Sequence, residues 1–198
     1  AVFGPDPGRP LPAIVADDTL PAPQTSYGTQ KLMCEHLIAD MTRKGFVVFQ
    51  LDNRGMYRRG KAFEEALFRK MGSVEVVDQR EGVKWLRTQP WIDGDKIGFY
   101  GWSYGGYMAL MSLMQAPEYV AGGVAGAPVT DFRRYDTNYT ERYMGLPKDN
   151  AAGYDASSVL KAAKDLSGRI LIMHGTADDN VHPQNTIQFI DALQKAGK

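Results

Sequence analysis

The chain has few of the residues that staple, ligate metals or carry protons. Its 198 residues include one cysteine, Cys34, and three histidines, His36, His174 and His182. One thiol excludes an internal disulfide and leaves the cellular compartment open. No Cys/His cluster has metal-ligand spacing, so no metal is expected, and no cofactor motif is complete. Twenty-three basic residues balance twenty-three acidic ones. Zero net charge gives no pull toward nucleic acid or an anionic membrane, and neither is expected as a partner. Apolar runs are far too short to span a bilayer, and no signal-peptide pattern opens the sequence. Hydrophobic residues still make up 43% of the chain, enough for a sizeable core, and the length suits one α/β domain.

Periodicity predicts strands near Val47–Leu51, Ile97–Tyr100, Ala121–Ala125 and Arg169–Met173, with Val2-Phe3 as a short fifth. It predicts helices near Tyr27–Arg43, Lys61–Lys70, Val74–Thr88, Tyr104–Gln115 and Pro183–Lys195. Val76, Val83 and Leu86 form one apolar stripe, and Ile187, Ile190 and Leu193 another. Met108, Met111 and Met114 read as a core stripe. Apolar strands alternating with helices argue for an α/β fold, a mostly parallel sheet with helices on both faces. Thr130 to Leu146 is aromatic and charged without a clean period, as expected of a loop-and-helix region around a pocket.

Gly101-Trp102-Ser103-Tyr104-Gly105-Gly106 has the form G-x-S-x-G between a strand and a helix. That context makes a nucleophile elbow: Ser103 sits on a sharp turn where flanking Cβ atoms would clash, and the next helix aims its N–H groups at a developing oxyanion. On its own the motif also suits a glycine-rich turn with a serine cap. A second segment, the strand Arg169–Met173 followed by His174-Gly175-Thr176-Ala177-Asp178-Asp179-Asn180-Val181, places an acid after a sheet strand downstream of the serine. Asp178 fits the order Ser, Asp, His of a hydrolase triad, although an Asp-rich loop can also simply cap the following helix.

From Phe46 to Lys198 the chain resembles the catalytic domain of the prolyl oligopeptidase family, closest to its dipeptidyl peptidase IV branch. The resemblance is carried by Leu51-Asp52-Asn53-Arg54-Gly55, Gly101–Tyr107, Tyr139-Thr140-Glu141-Arg142-Tyr143-Met144-Gly145 and His174–Val181. It implies a truncated α/β-hydrolase in which Ser103 is the nucleophile, Asp178 the triad acid and the Tyr104 backbone N–H an oxyanion donor. It also implies that Val129, Phe132, Tyr135, Tyr139 and Val181 line a proline-accepting pocket and that Asn180 binds the substrate carbonyl. Phe132 stands where the branch usually has tryptophan. The implied reaction is acyl transfer on a peptide substrate, releasing dipeptides after a penultimate proline or alanine.

The family's catalytic histidine lies beyond the Asp178 position by more residues than follow it here, and the family uses none of His36, His174 and His182 as base. His182, four residues after Asp178, is a poor substitute, because base and acid must converge on the serine. The chain alone is therefore expected not to turn over peptides. Core strands of the hydrolase sheet are also missing, so an open sheet edge is expected to favour association with a second copy.

Residues 1–45 resemble a different family, the extended short-chain dehydrogenase/reductases, through Ala1-Val2-Phe3-Gly4, Pro23-Gln24-Thr25-Ser26-Tyr27-Gly28-Thr29-Gln30-Lys31 and Glu35. Tyr27 and Lys31 share a helix face in the pattern Y-x-x-x-K, which favours the phenolate. The nucleotide-binding glycine motif is not in the sequence, so no nicotinamide chemistry is expected from this part. Two parentages meeting at Gly45 would make the chain a chimera of residues 1–45 and 46–198.

Overall fold

The structure is a computed structural model that describes residues 33, 36, 38–57 and 59–198. The chain divides into two units, residues 1–50 and residues 51–198.

In the first unit residues 38–43 are helical. The helix stops at Gly45, whose φ of 86° is left-handed; the Gly45 N–H donates to Thr42 O and the Phe46 N–H to Met41 O, both at 3.0 Å. These two bonds satisfy terminal carbonyls in a Schellman arrangement, the ending expected of a glycine there. The strand predicted over 47–51 is not formed: residues 46–53 carry no regular secondary structure, and Phe46 and Val47 are 58% and 51% exposed. An apolar run becomes a strand only where another strand pairs with it, and the described sheet contains three strands, none of them this one. Val2-Phe3, Tyr27, Lys31 and Glu35 lie outside the described residues.

The second unit is built on a parallel sheet of β1 (Gly98–Trp102), β2 (Gly122–Gly126) and β3 (Arg169–Met173), ordered β1-β2-β3, with Tyr100 opposite Val124 and Val124 opposite Leu171. The helices are α1 (Lys61–Glu64), α2 (Val74–Arg87), α3 (Tyr104–Gln115), α4 (Thr137–Met144), α5 (Ala151–Ala156), α6 (Val159–Ala162) and α7 (Gln184–Lys195). α3 is apolar around most of its circumference, and eight of its twelve residues are buried; such a helix belongs in the middle of a core. The glycines of β2 let it come close: a Cβ at Gly123 would lie 2.9 Å from Leu113 Cδ1.

Around α3 gather Val76 of α2, Val129, Phe132, Met144, Tyr154, Val159, Val181 and Phe189 in one cluster. Met111 and Met114 are buried in it and Met108 packs against it, as the spacing predicts. Val76, Val83 and Leu86 are buried too. The last helix is turned differently from its predicted stripe. Asn185, Phe189 and Leu193 face inward, while Ile187 and Ile190 are 64% and 42% exposed. The reason is polar: Asn185 is drawn under the loop after β2, where its Oδ1 accepts from the Thr130 N–H at 3.0 Å. With period 3.6, that choice fixes every other residue of the helix.

One sheet face packs on this cluster. On the other, Tyr100, Trp102 and Leu171 are 72%, 54% and 56% exposed. Covered and uncovered positions alternate along β3 with the period of two that a strand imposes.

Candidate active site

Ser103 follows β1 directly and precedes the first residue of α3. Its backbone is left-handed, φ 57° and ψ −116°, a conformation costly for a residue with a Cβ. Neighbouring backbone holds it there. The Ser103 N–H donates to Gly126 O at the end of β2 at 2.8 Å, and Ser103 O accepts from the Tyr107 N–H at 3.0 Å. The glycines are not equivalent. A Cβ at Gly101 would lie 2.1 Å from Gly105 O, and one at Gly106 2.6 Å from Gly126 O, whereas one at Gly105 would meet nothing within 4 Å. Two of the three are therefore demanded by close backbone approach, and the third is not.

Asp178 lies five residues beyond the end of β3. Parallel strands deliver Ser103 and Asp178 to the same, carboxyl, edge of the sheet, where α/β folds place their ligands. Asp178 Oδ1 accepts from the Val181 N–H at 2.9 Å and the Asn180 N–H at 3.1 Å, so the carboxylate shapes its own loop. Its Oδ2 lies 3.7 Å from His174 Nε2. The His174 side chain is 6% exposed and fully engaged: Nε2 lies 2.6 Å from Val181 O and Nδ1 2.6 Å from the Thr186 hydroxyl. A carbonyl only accepts, so Nε2 carries the proton and Nδ1 is held by Thr186. Such a histidine braces the loop and has no free nitrogen for Ser103. His182 is exposed.

The predicted pocket residues fall into two groups. Phe132, Val129 and Val181 are 1–2% exposed and belong to the core. Phe132 meets Tyr107 edge-on at 4.9 Å and Tyr104 at 6.1 Å between ring centroids. Tyr135 and Tyr139 are half-buried and packed edge to face at 5.4 Å; Tyr143 continues the stack at 4.9 Å from Tyr139. Burial first, then the neighbouring phenols, raise the Tyr139 hydroxyl above its ordinary value, so it stays protonated. The Tyr135 hydroxyl donates to Asn180 Oδ1 at 3.1 Å, which leaves the Asn180 amide N–H groups as donors for another acceptor. The structure thus joins Tyr135 to Asn180 and Tyr104 to Phe132. Among the described residues no three His, Cys, Asp or Glu side chains converge as a metal would require.

Three residues that sequence reasoning missed hold these walls in place. Asp131 caps the turn at Phe132 through the Arg133 N–H at 2.9 Å and accepts from the Ser158 hydroxyl at 3.1 Å. Asn185 binds Thr130 from α7. Glu75, 1% exposed on α2, accepts the Tyr104 O–H at 2.5 Å. Nothing in the sequence distinguishes Glu75 from an ordinary acid in the first turn of a helix.

A strained serine between a parallel strand and a buried helix, with an acidic loop after the strand two places along the sheet, is the geometry of the α/β-hydrolase class. Comparison with known proteins narrows this. The model of the prolyl oligopeptidase family matches residues 33–198. Mouse dipeptidyl peptidase 8 is 47% identical over 158 residues, covering 78% of this chain and 18% of the relative. A probable dipeptidyl peptidase 4 of Neosartorya fischeri is 39% identical over 178 residues, 89% of this chain and 23% of that one. The crystal structure of Porphyromonas gingivalis dipeptidyl peptidase 4 superposes with a TM-score of 0.72 at 45% identity, over 74% of this chain and 21% of that one. The chain belongs to the prolyl oligopeptidase family. It spans about a fifth of the length of the relatives it matches. The family match also takes in residues 33–45, part of the segment for which a reductase parentage was expected, and these residues go with the peptidase family.

Proposed function

We propose that the chain carries the nucleophile and proline-pocket part of a serine peptidase that removes dipeptides after a penultimate proline or alanine. The observation that carries this reading is the left-handed Ser103 directly before Tyr104, whose ring packs with Tyr107 and Phe132, on a chain whose relatives are dipeptidyl peptidases. In the proposed mechanism the Ser103 hydroxyl attacks the substrate carbonyl and its proton passes to a base. The Tyr104 N–H stabilises the oxyanion, the amine leaves with the proton, and water hydrolyses the acyl-enzyme. Asp178 orients the base. A flat apolar proline ring suits the box of Tyr104, Phe132, Tyr135, Tyr139, Val129 and Val181, and the Asn180 amide donates to the substrate carbonyl.

Neither His174, engaged at both nitrogens, nor His182, only four residues from the acid it would have to face, is assigned as that base. The two-part origin of the chain, with residues 1–45 reductase-like, rests on Ala1–Gly4, Pro23–Lys31 and Glu35 alone, and the last of these falls within the peptidase-family match. Sequencing the source locus across Gly45 tests it, and one natural reading frame there would show that the junction is not an artefact.

The functional reading is tested with dipeptide boronates, whose trigonal boron takes up the serine oxygen and becomes tetrahedral, the hydroxyl proton passing to solvent, without needing turnover. By calorimetry, the analogue ending in proline should bind at least about tenfold more tightly than the one ending in glycine, the ring filling an apolar pocket. Equal affinities would contradict the pocket assignment.

A further inference from the structure

The least exposed carboxyl group near the elbow belongs to Glu75, and its partners are three neutral donors. Oε1 accepts from the Tyr104 O–H at 2.5 Å and the Gly72 N–H at 3.1 Å; Oε2 accepts from the Ser73 N–H at 3.1 Å. Burying an acid without a cation is costly, and a merely structural position would be filled more easily by an apolar side chain. The arrangement around Glu75 is closely fitted. Gly72 is left-handed, φ 77°, and a Cβ on it would lie 1.9 Å from the Tyr107 hydroxyl, which itself donates to Met71 O at 3.3 Å. The turn before α2 is thereby fastened to α3 through two tyrosines, and Glu75 holds the one next to the nucleophile.

Tyr104 has two ends that matter. Its backbone N–H directly follows Ser103, and its ring packs at 5.4 Å from Tyr107 and 6.1 Å from Phe132. A ring fixed at its hydroxyl has no freedom to swing about χ1, so the backbone and the ring are set together. Burial, then the Glu75 charge, raise the Tyr104 hydroxyl far above its ordinary value, and it remains a donor at any working pH.

We propose that Glu75 is a positioning residue for this site: by accepting the Tyr104 hydroxyl, it fixes the oxyanion-facing N–H and the ring wall of the proline pocket together. The proposal rests on the peptidase reading above, and its test separates the two. Glu75→Ala, Glu75→Gln and Tyr104→Phe are made in the full chain. Amide exchange is followed at Gly72, Ser73 and residues 103–107, and the proline-to-glycine boronate affinity ratio is measured.

Tyr104→Phe loses one hydroxyl and leaves Glu75 its two amide partners. It should speed exchange at 103–107 and lower the ratio, each by at least about fivefold, while Gly72 and Ser73 stay protected. Glu75→Ala should speed exchange at all these positions and lower the ratio similarly. Glu75→Gln, with one accepting oxygen, should fall between. Unchanged exchange at 103–107 together with an unchanged ratio in Tyr104→Phe would overturn the proposal even if Glu75→Ala does not fold. A wild-type chain without preference for proline would refute the peptidase reading instead, and exchange at 103–107 in Tyr104→Phe would still decide whether Glu75 holds the elbow.

Discussion

The elbow offers a contrast between two glycines four residues apart. At Gly101 an added methyl would lie 2.1 Å from Gly105 O and 2.2 Å from Gly105 C, about 0.9 Å inside the 3.0 Å limit that real Cβ contacts respect. The obstacle is backbone in the first turn of α3, and it cannot rotate away. Relief requires moving α3, which carries Leu110, Met111 and Leu113 at 0% exposure, away from β1. Overpacking in a side-chain core costs about 1–3 kcal/mol, and a clash against backbone exceeds that range. Gly101→Ala should therefore destabilise by at least about 3 kcal/mol. Gly105→Ala is the control. Its Cβ meets nothing within 4 Å and its residue is helical. Alanine there should be neutral or stabilise by up to about 1 kcal/mol, because glycine is a poor helix former. Urea unfolding followed by circular dichroism measures both. A Gly101→Ala chain as stable as Gly105→Ala would refute the close approach of strand and helix on which the elbow geometry depends.

Ser103→Gly should raise stability by roughly 1 kcal/mol by relieving the left-handed φ, while abolishing boronate adduct formation; thermal unfolding and calorimetry check the pair. Phe132→Ala should cost about 3–5 kcal/mol, since a fully buried ring leaves a cavity, and should also erase the proline preference. Arg54 holds the Asp78 carboxyl below its usual value through its hydrogen bonds, at 2.7–3.1 Å from guanidinium to carboxylate. A depressed folded value means stability that is present above about pH 4 and is lost as pH falls through the folded value. Asp78→Asn should thus be less stable than wild type at neutral pH, with the difference shrinking in acid, as urea unfolding across pH 2–7 would show. His182→Ala should leave the rate of fluorophosphonate labelling at Ser103 unchanged, because the exposed imidazole is not the base; a drop in that rate, read by mass spectrometry, would contradict this.

Where one element's own pattern decides its structure, the sequence was sufficient. α3 was legible to the residue, because an apolar stretch after G-x-S-x-G has no other stable arrangement, and β3 was legible because five consecutive apolar or stem-burying residues lead into a loop. Where a partner decides, it was not. Val47–Leu51 has the composition of a strand but no strand paired to it among the described residues. The rotation of α7 depended on Asn185 binding Thr130, fifty-five residues away, and hydrophobicity alone favoured Ile187 and Ile190. The positions of Ser103 and Asp178 beyond the carboxyl ends of two parallel strands follow from the apolar runs that precede them. The Tyr135–Asn180 bond and the Glu75–Tyr104 bond join residues forty-five and twenty-nine apart, with no local spacing to announce them. The order in Thr130–Leu146 comes from two aspartate caps, Asp131 and Asp136, and from the tyrosine stack along α4.

The proposed role of Ser103 is that of a nucleophile beside a proline-accepting pocket. Boron-11 NMR of the chain with the dipeptide boronate ending in proline addresses it most directly. A shift to the tetrahedral region with the wild-type chain, absent with Ser103→Ala, is the predicted result. Boron that stays trigonal with the folded wild-type chain, or turns tetrahedral equally with Ser103→Ala, would contradict it.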